Sequence, residues 1–235
     1  GQLARATASR LPFFGEGAFT SVFGASSRTL WNQFQAQRAS TSPDMPPPTE
    51  VRRLTQDGFM TSGPRYSPGR GPGGPRVLYS SLTPDRFPSI KEIAADRSAA
   101  RTVTTRYQGE SLSTDGRWVF FDQIEFDGPI STFRDVYAAD LNTTSLVRLT
   151  HGARMSDPEV SPDGTRLAVV VQRAGDSALA VYRLSRPSME APPVLERSAV
   201  LTVAETGCHF ATPRWSPELT RLAAARQCEG RPPEI

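Results

Sequence analysis

Residues 157–170 read DPEVSPDGTRLAVV, an acidic stretch with two prolines that runs into an apolar segment. Its centre, Asp163-Gly164, has two readings. As a hairpin bend, Asp caps the turn with its own side chain, Gly supplies the positive φ of a tight hairpin, and Pro162 presets φ ahead of it. As a calcium loop, the stretch would need several carboxylates at close spacing, as in Asp-x-Asp-x-Asp-Gly. SPDGTRL offers one. Both Asp163-Gly164 and its counterpart Asp115-Gly116 therefore read as structural turns, not as ligand sites.

The stretch has copies, and their spacing decides the fold. GPRYSPGR at 63–70, ESLSTDGR at 110–117, DPEVSPDG at 157–164 and TPRWSPEL at 212–219 align on Ser67, Ser113, Ser161 and Ser216, which are 46, 48 and 55 residues apart. Each is followed by a run suited to a strand: RVLYSSL, RWVFFDQI, RLAVVVQR and RLAAARQ. The middle units add a second run, RDVYAADL and ALAVYRL, and a third, SLVRLTHG and AVLTVAE. With the short stretch before the turn, this makes four strands in a unit of roughly 40–50 residues, the size of a propeller blade. Their β-branched and aromatic content excludes a solenoid of helix pairs. A sandwich would not explain why the same turn recurs.

These intervals predict a mainly β fold: an open, partial β-propeller of about three and a half four-stranded antiparallel blades, preceded by a short helical segment. The blades are expected at about 59–108, 109–155 and 156–206, with an incomplete fourth at 207–235. VRRLTQDG at 51–58 matches LVRLTHGA at 146–153, so it is expected to be an outermost strand that completes the ring. Residues 1–38 differ from the rest. Phe13, Phe14, Phe19, Val22 and Phe23 precede GASSR, and Leu30, Trp31 and Phe34 form one apolar helical face, with Ser26 or Ser27 as N-cap. Two short helices are expected there. Residues 39–50, ASTSPDMPPPTE, read as a linker that cannot continue a helix.

The chain of 235 residues is 37% hydrophobic, enough for a core, while 21 Pro and 18 Gly imply many turns. Its net charge of +3 is spread over 27 basic and 24 acidic residues, with no basic run interleaved with aromatics, so no nucleic-acid partner is expected. No run of 18 apolar residues occurs, so no membrane span is expected in this window. The chain begins with Gly, any signal peptide is expected to lie outside this window, and we expect the chain to be a piece of a longer protein cut at both ends.

The Ser-Pro-Asp-Gly-x-Arg turn with a preceding Arg-Leu-Thr strand resembles the repeat of TolB-like β-propellers (PD40-type). It is carried by Arg148-Leu149-Thr150 with Ser161-Pro162-Asp163-Gly164-Thr165-Arg166. Degraded copies are Arg53-Leu54-Thr55 with Ser67-Pro68, and Leu201-Thr202 with Ser216-Pro217. At Gly69-Arg70 and Glu218-Leu219 the Asp-Gly is missing, and turns that are longer or of different shape are expected. The resemblance implies an extracytoplasmic bacterial protein, periplasmic or secreted. LPFFGEGAFTSVFGASSRTLWNQFQAQ is similar to the helical tail of metallopeptidase-like domains that precede such propellers in bacteria, and residues 1–38 are expected to be the remnant of such a domain.

No catalytic, cofactor or metal residue is expected in this window. There is no His-Glu-x-x-His and no Gly-x-Ser-x-Gly elbow, and the two histidines, His151 and His209, are 58 residues apart. GRGPGGPR at 69–76 places Pro where phosphate-binding N–H donors would be needed and reads as a hairpin loop. Cys208 and Cys228 each lie ten residues from Glu218, the centre of the fourth hairpin, which would set them opposite one another on neighbouring strands. A disulfide, which fits an oxidising compartment, and two buried thiols both remain open. The expected function is a non-catalytic scaffold that binds a protein or peptide. The alternative is a substrate-gating propeller of a peptidase whose catalytic residues lie outside this chain.

Overall fold

The computed structural model describes residues 1–9, 15–41, 53–56, 59–67, 74–94, 100–105, 111–188 and 191–235. The chain divides into two compact units, Gly1–Arg52 and Arg53–Ile235.

Among the described residues, the first unit holds three helices, α1 (Gln2–Ala8), α2 (Gly15–Phe23) and α3 (Ser27–Thr41), where two were expected. Ser26 is the cap of α3: its Oγ accepts from the Thr29 N–H at 3.0 Å. The Glu16 carboxylate accepts from the backbone and hydroxyl of Ser27 at 2.7 and 2.9 Å, so α2 is tied to the start of α3. α3 runs to Thr41, three residues into the expected linker, because the first proline stands only at position 43. The remainder of that linker lies outside the described residues.

The second unit is a row of antiparallel sheets. The first blade is β1 (Met60–Ser67), β2 (Arg76–Thr83), β3 (Arg86–Ala94) and β4 (Arg101–Thr104). The second is β5 (Leu112–Thr114), β6 (Trp118–Asp127), β7 (Ser131–Asp140) and β8 (Leu146–Arg148). The third is β9 (Met155–Val160), β10 (Arg166–Gln172), β11 (Ser177–Ser185) and β12 (Val194–Ala204). A two-stranded sheet follows, β13 (Cys208–Trp215) and β14 (Leu222–Cys228), and Glu234 pairs antiparallel with Arg226 on the far edge of β14. Each strand pairs with its sequence neighbour, as in propeller blades. The first strands lie side by side, β1 against β5, β5 against β9 and β9 against β13, so they form the inner wall where the blades converge. Residues 53–56, expected within an outermost strand, are in no strand.

β6 shows why the blade sequences are apolar on consecutive positions. Val119 and Phe121 pack with Leu78, Ile90 and Val103 of the first blade. Trp118 and Phe120 pack with Met155, Val160, Leu167 and Val169 of the third. A strand buried on both faces loses the usual alternation of apolar and polar residues. Trp118, Phe120 and Phe121 are each at most 1% exposed, and burying one such side chain stabilises by about 1.5–3 kcal/mol.

Candidate functional site: the inner wall

The turns come first, because they start each blade. Asp115 Oδ1 accepts from the N–H groups of Arg117 and Trp118, both at 2.8 Å, and Gly116 takes φ 86°. Asp163 accepts from the Ser161 hydroxyl at 2.5 Å and the Thr165 hydroxyl at 2.7 Å, and Gly164 takes φ 71°. Burial alone would raise the Asp163 pKa, but those hydroxyl donors and the Thr165 N–H hold it below its ordinary value. The two turns touch: a Cβ on Gly164 would lie 3.4 Å from Asp115 Oδ2, which also accepts from Arg186 of the third blade. These groups fasten blade to blade.

The 216–219 turn keeps the same shape without Asp-Gly. Leu219 N–H donates to Ser216 O at 3.0 Å as Gly164 N–H does to Ser161 O at 2.8 Å, and Arg221 N–H donates to Ser216 Oγ as Arg166 N–H does to Ser161 Oγ. The expected change of shape is absent because Leu219 itself adopts φ 61°. The Gly69-Arg70 turn lies outside the described residues.

Cys208 and Cys228 form a disulfide with Cα atoms 4.0 Å apart. Their pairing depends on a bulge. At the turn Trp215 faces Leu222, and continuing that register would set His209 opposite Cys228. Thr212 and Pro213 together oppose the single Ala224, which shifts the partner to Cys208. Among the described residues one group of three metal-ligating side chains lies close together, Glu205, Cys208 and Cys228, and the disulfide occupies both of its sulfurs.

The same bulge recurs in β1 and β9. Gly63-Pro64 opposes Tyr79, and Asp157-Pro158 opposes Val169. In each case the residue before proline takes a left-handed φ: 59° at Gly63, 51° at Asp157 and 49° at Thr212. Proline suits a bulge because it brings no N–H to the ladder. All three bulges lie four residues before the aligned serine. The corresponding place in the second blade, 109–110, lies outside the described residues. The repeated x-Pro before Arg-Tyr-Ser, Glu-Val-Ser and Arg-Trp-Ser is the sequence signal that marks them.

Two residues before each serine stand Arg65 of β1, Ser111 just ahead of β5, Glu159 of β9 and Arg214 of β13. Arg214 Nη1 pairs with Glu159 Oε2 at 3.1 Å, and Trp215 Nε1 donates to Glu159 O at 3.0 Å. Burial lifts the Glu159 carboxyl to about 7, with the Arg65 charge pulling the other way. Behind this row, Asp122 is buried, pairs with Arg134 and accepts from Ser111 N–H at 3.4 Å. Burial raises its pKa against the pull of Arg134, and the Asp157 charge adds to the rise. The row places partly buried charges on the inner wall. His151 stands on the connection from the second to the third blade and His209 on β13, and among the described residues neither side chain hydrogen-bonds to a serine or cysteine.

No family model matches this chain, and no curated protein matches it. Solved structures do. TolB from Acinetobacter baumannii aligns over 74% of this chain and 39% of its own, with 17% identity and a TM-score of 0.51. The fold is that of a TolB-like β-propeller. A putative TolB from Agrobacterium tumefaciens covers 74% of the chain and 79% of its own at 16% identity (TM-score 0.46). A puromycin-hydrolyzing peptidase from Mycobacterium tuberculosis covers 77% and 33% at 17% identity (TM-score 0.44). The chain thus spans about two fifths of the Acinetobacter TolB, and at such identities the likeness is one of fold. No helix in the described part of this TolB-like chain is long and apolar enough to cross a membrane.

Proposed function

We propose that the propeller unit is a non-catalytic scaffold of an extracytoplasmic protein and that it binds a protein or peptide at its inner wall. The row Arg65, Ser111, Glu159 and Arg214 carries this reading: four first strands bring side chains to one level, on elements held by bulges and interblade cores. Such a surface suits recognition, since a rigid wall costs little ordering entropy when a ligand docks. The Cys208–Cys228 disulfide supports an oxidising compartment.

The test is a selection of random peptides displayed on phage against the purified chain. Peptides that bind the parent and are lost on Arg65→Ala/Arg214→Ala support the reading. A selection whose peptides bind that double variant equally well, or that yields no binder, contradicts it.

A further inference from the structure

Arg65 and Arg214 occupy the same place in the first and fourth repeats, inside Pro-Arg-Tyr-Ser-Pro and Pro-Arg-Trp-Ser-Pro. They also hold the same pose: each guanidinium donates to the carbonyl of its own preceding proline, Arg65 to Pro64 at 3.3 Å and Arg214 to Pro213 at 2.5 Å. Between them the second blade contributes only Ser111, which is small and neutral. The third contributes Glu159, paired with Arg214 and within electrostatic reach of Arg65. Arg214 holds the carboxylate directly, and Arg65 acts on it through its charge alone. Among the described residues, Arg65 Nε is buried with no hydrogen-bond partner. Asp157, the other nearby acid, turns elsewhere: its Oδ2 accepts from Thr212 N–H at 3.5 Å and its charge acts on Asp122.

We propose that Arg65 and Arg214 form a receptor for a carboxylate on a peptide ligand, and that Glu159 is the built-in carboxylate which that ligand replaces. The proposal rests on the peptide-binding reading above and names the chemistry of its ligand. A guanidinium presents a planar fork of donors that a carboxylate matches with two parallel bonds, and Arg65 has donors to spare. Both arginines are reachable, with the Arg214 side chain 39% exposed. Glu159 is suited to being displaced, since burial already makes its charged form costly.

The experiment measures fluorescence anisotropy of three labelled peptides with the full chain: amidated hexaglutamate, a neutral Gly-Ser hexapeptide with a free C-terminus, and the same peptide amidated. Binding of the first identifies a side-chain carboxylate as the ligand group, and binding of the second a terminal one. The amidated neutral peptide is expected not to bind. Arg65→Ala and Arg214→Ala should each weaken the carboxylate peptide at least fivefold, while Arg173→Ala, on the turn between β10 and β11, leaves it unchanged. Glu159→Gln should tighten it about tenfold, a gain that misfolding cannot produce. The receptor is overturned if Glu159→Gln leaves affinity unchanged or weakens it, or if the amidated neutral peptide binds equally well. If no test peptide binds while phage-selected peptides do, the receptor alone fails. If neither set binds, the peptide-binding reading fails with it.

Discussion

Leu219 sits in a left-handed conformation at φ 61°, in the place where the third blade has Gly164 at φ 71°. A side chain there costs about 1–2 kcal/mol, and glycine gives some of that back as unfolded-chain entropy. Leu219→Gly should therefore stabilise the chain by about 0.5–1 kcal/mol, read as a higher midpoint of thermal unfolding. Glu159 makes a second prediction at this scale. Its folded pKa of about 7 exceeds the ordinary 4.5, so the folded state binds the extra proton between those values, and this group's contribution to stability falls as pH rises through that window. Denaturant titrations at pH 5 and pH 8 should show the parent losing on the order of 1–3 kcal/mol relative to Glu159→Gln. An equal loss in both proteins would contradict the assignment. The serines and the Asp-Gly bends were legible in the sequence because spacing and turn chemistry act locally. Leu219 was not, since nothing about leucine announces a positive φ. The row of charges was not legible either: Arg65, Glu159 and Arg214 are 94 and 55 residues apart and acquire a common meaning only when the blades stack.

The β13–β14 hairpin is the element whose stability leans on a covalent link, because it has two strands where the blades before it have four. Cys208→Ser/Cys228→Ser should lower stability by about 3 kcal/mol in the chain-entropy account of a loop this size. Hydrogen exchange should show the loss concentrated in β13 and β14, and uniform deprotection across all blades would argue against it. The symmetric spacing of the cysteines about Glu218 set them opposite one another but left a disulfide and two thiols both open, and the geometric basis of the pairing was not legible. The hairpin turns between Glu218 and Leu219, and the bulge at Thr212-Pro213 supplies the remaining residue. Bulges depend on the partner strand, so the recurring x-Pro was visible as letters without being interpretable as geometry. Three helices in place of two reflect the same limit, since α1 buries none of its residues and so shows no apolar face to read.

At the scale of the molecule, cohesion comes from the cores between blades. Phe120 is fully buried among residues of the second and third blades, and Phe120→Ala should cost about 3–5 kcal/mol, with both blades losing exchange protection together. The outer flank is less well covered. β12 is eleven residues long at the edge of its sheet and exposes Val200, Leu201 and Val203 at 50%, 52% and 44%. An exposed apolar edge strand is a template for pairing with another chain. Light scattering should show concentration-dependent self-association that Leu201→Lys reduces; a monodisperse parent would contradict this. The architecture as a whole was legible because the repeat states it four times. The first blade's β3 and β4 have no recognisable copy in the repeat and became visible only through their pairing.

Each inner-wall bulge is a dislocation in the strand ladder, and a dislocation can in principle migrate as neighbouring residues exchange partners. Pro64, Pro158 and Pro213 pin it, because a residue without an N–H cannot take over a donor's place in the ladder. Since all three pins stand at the same distance from their serines, they hold Arg65, Glu159 and Arg214 at one height. Pro158→Ala would release the defect in a single blade and let Glu159 drift along the wall relative to its two arginines, so that the level of the charges, more than their identity, becomes the quantity the prolines preserve.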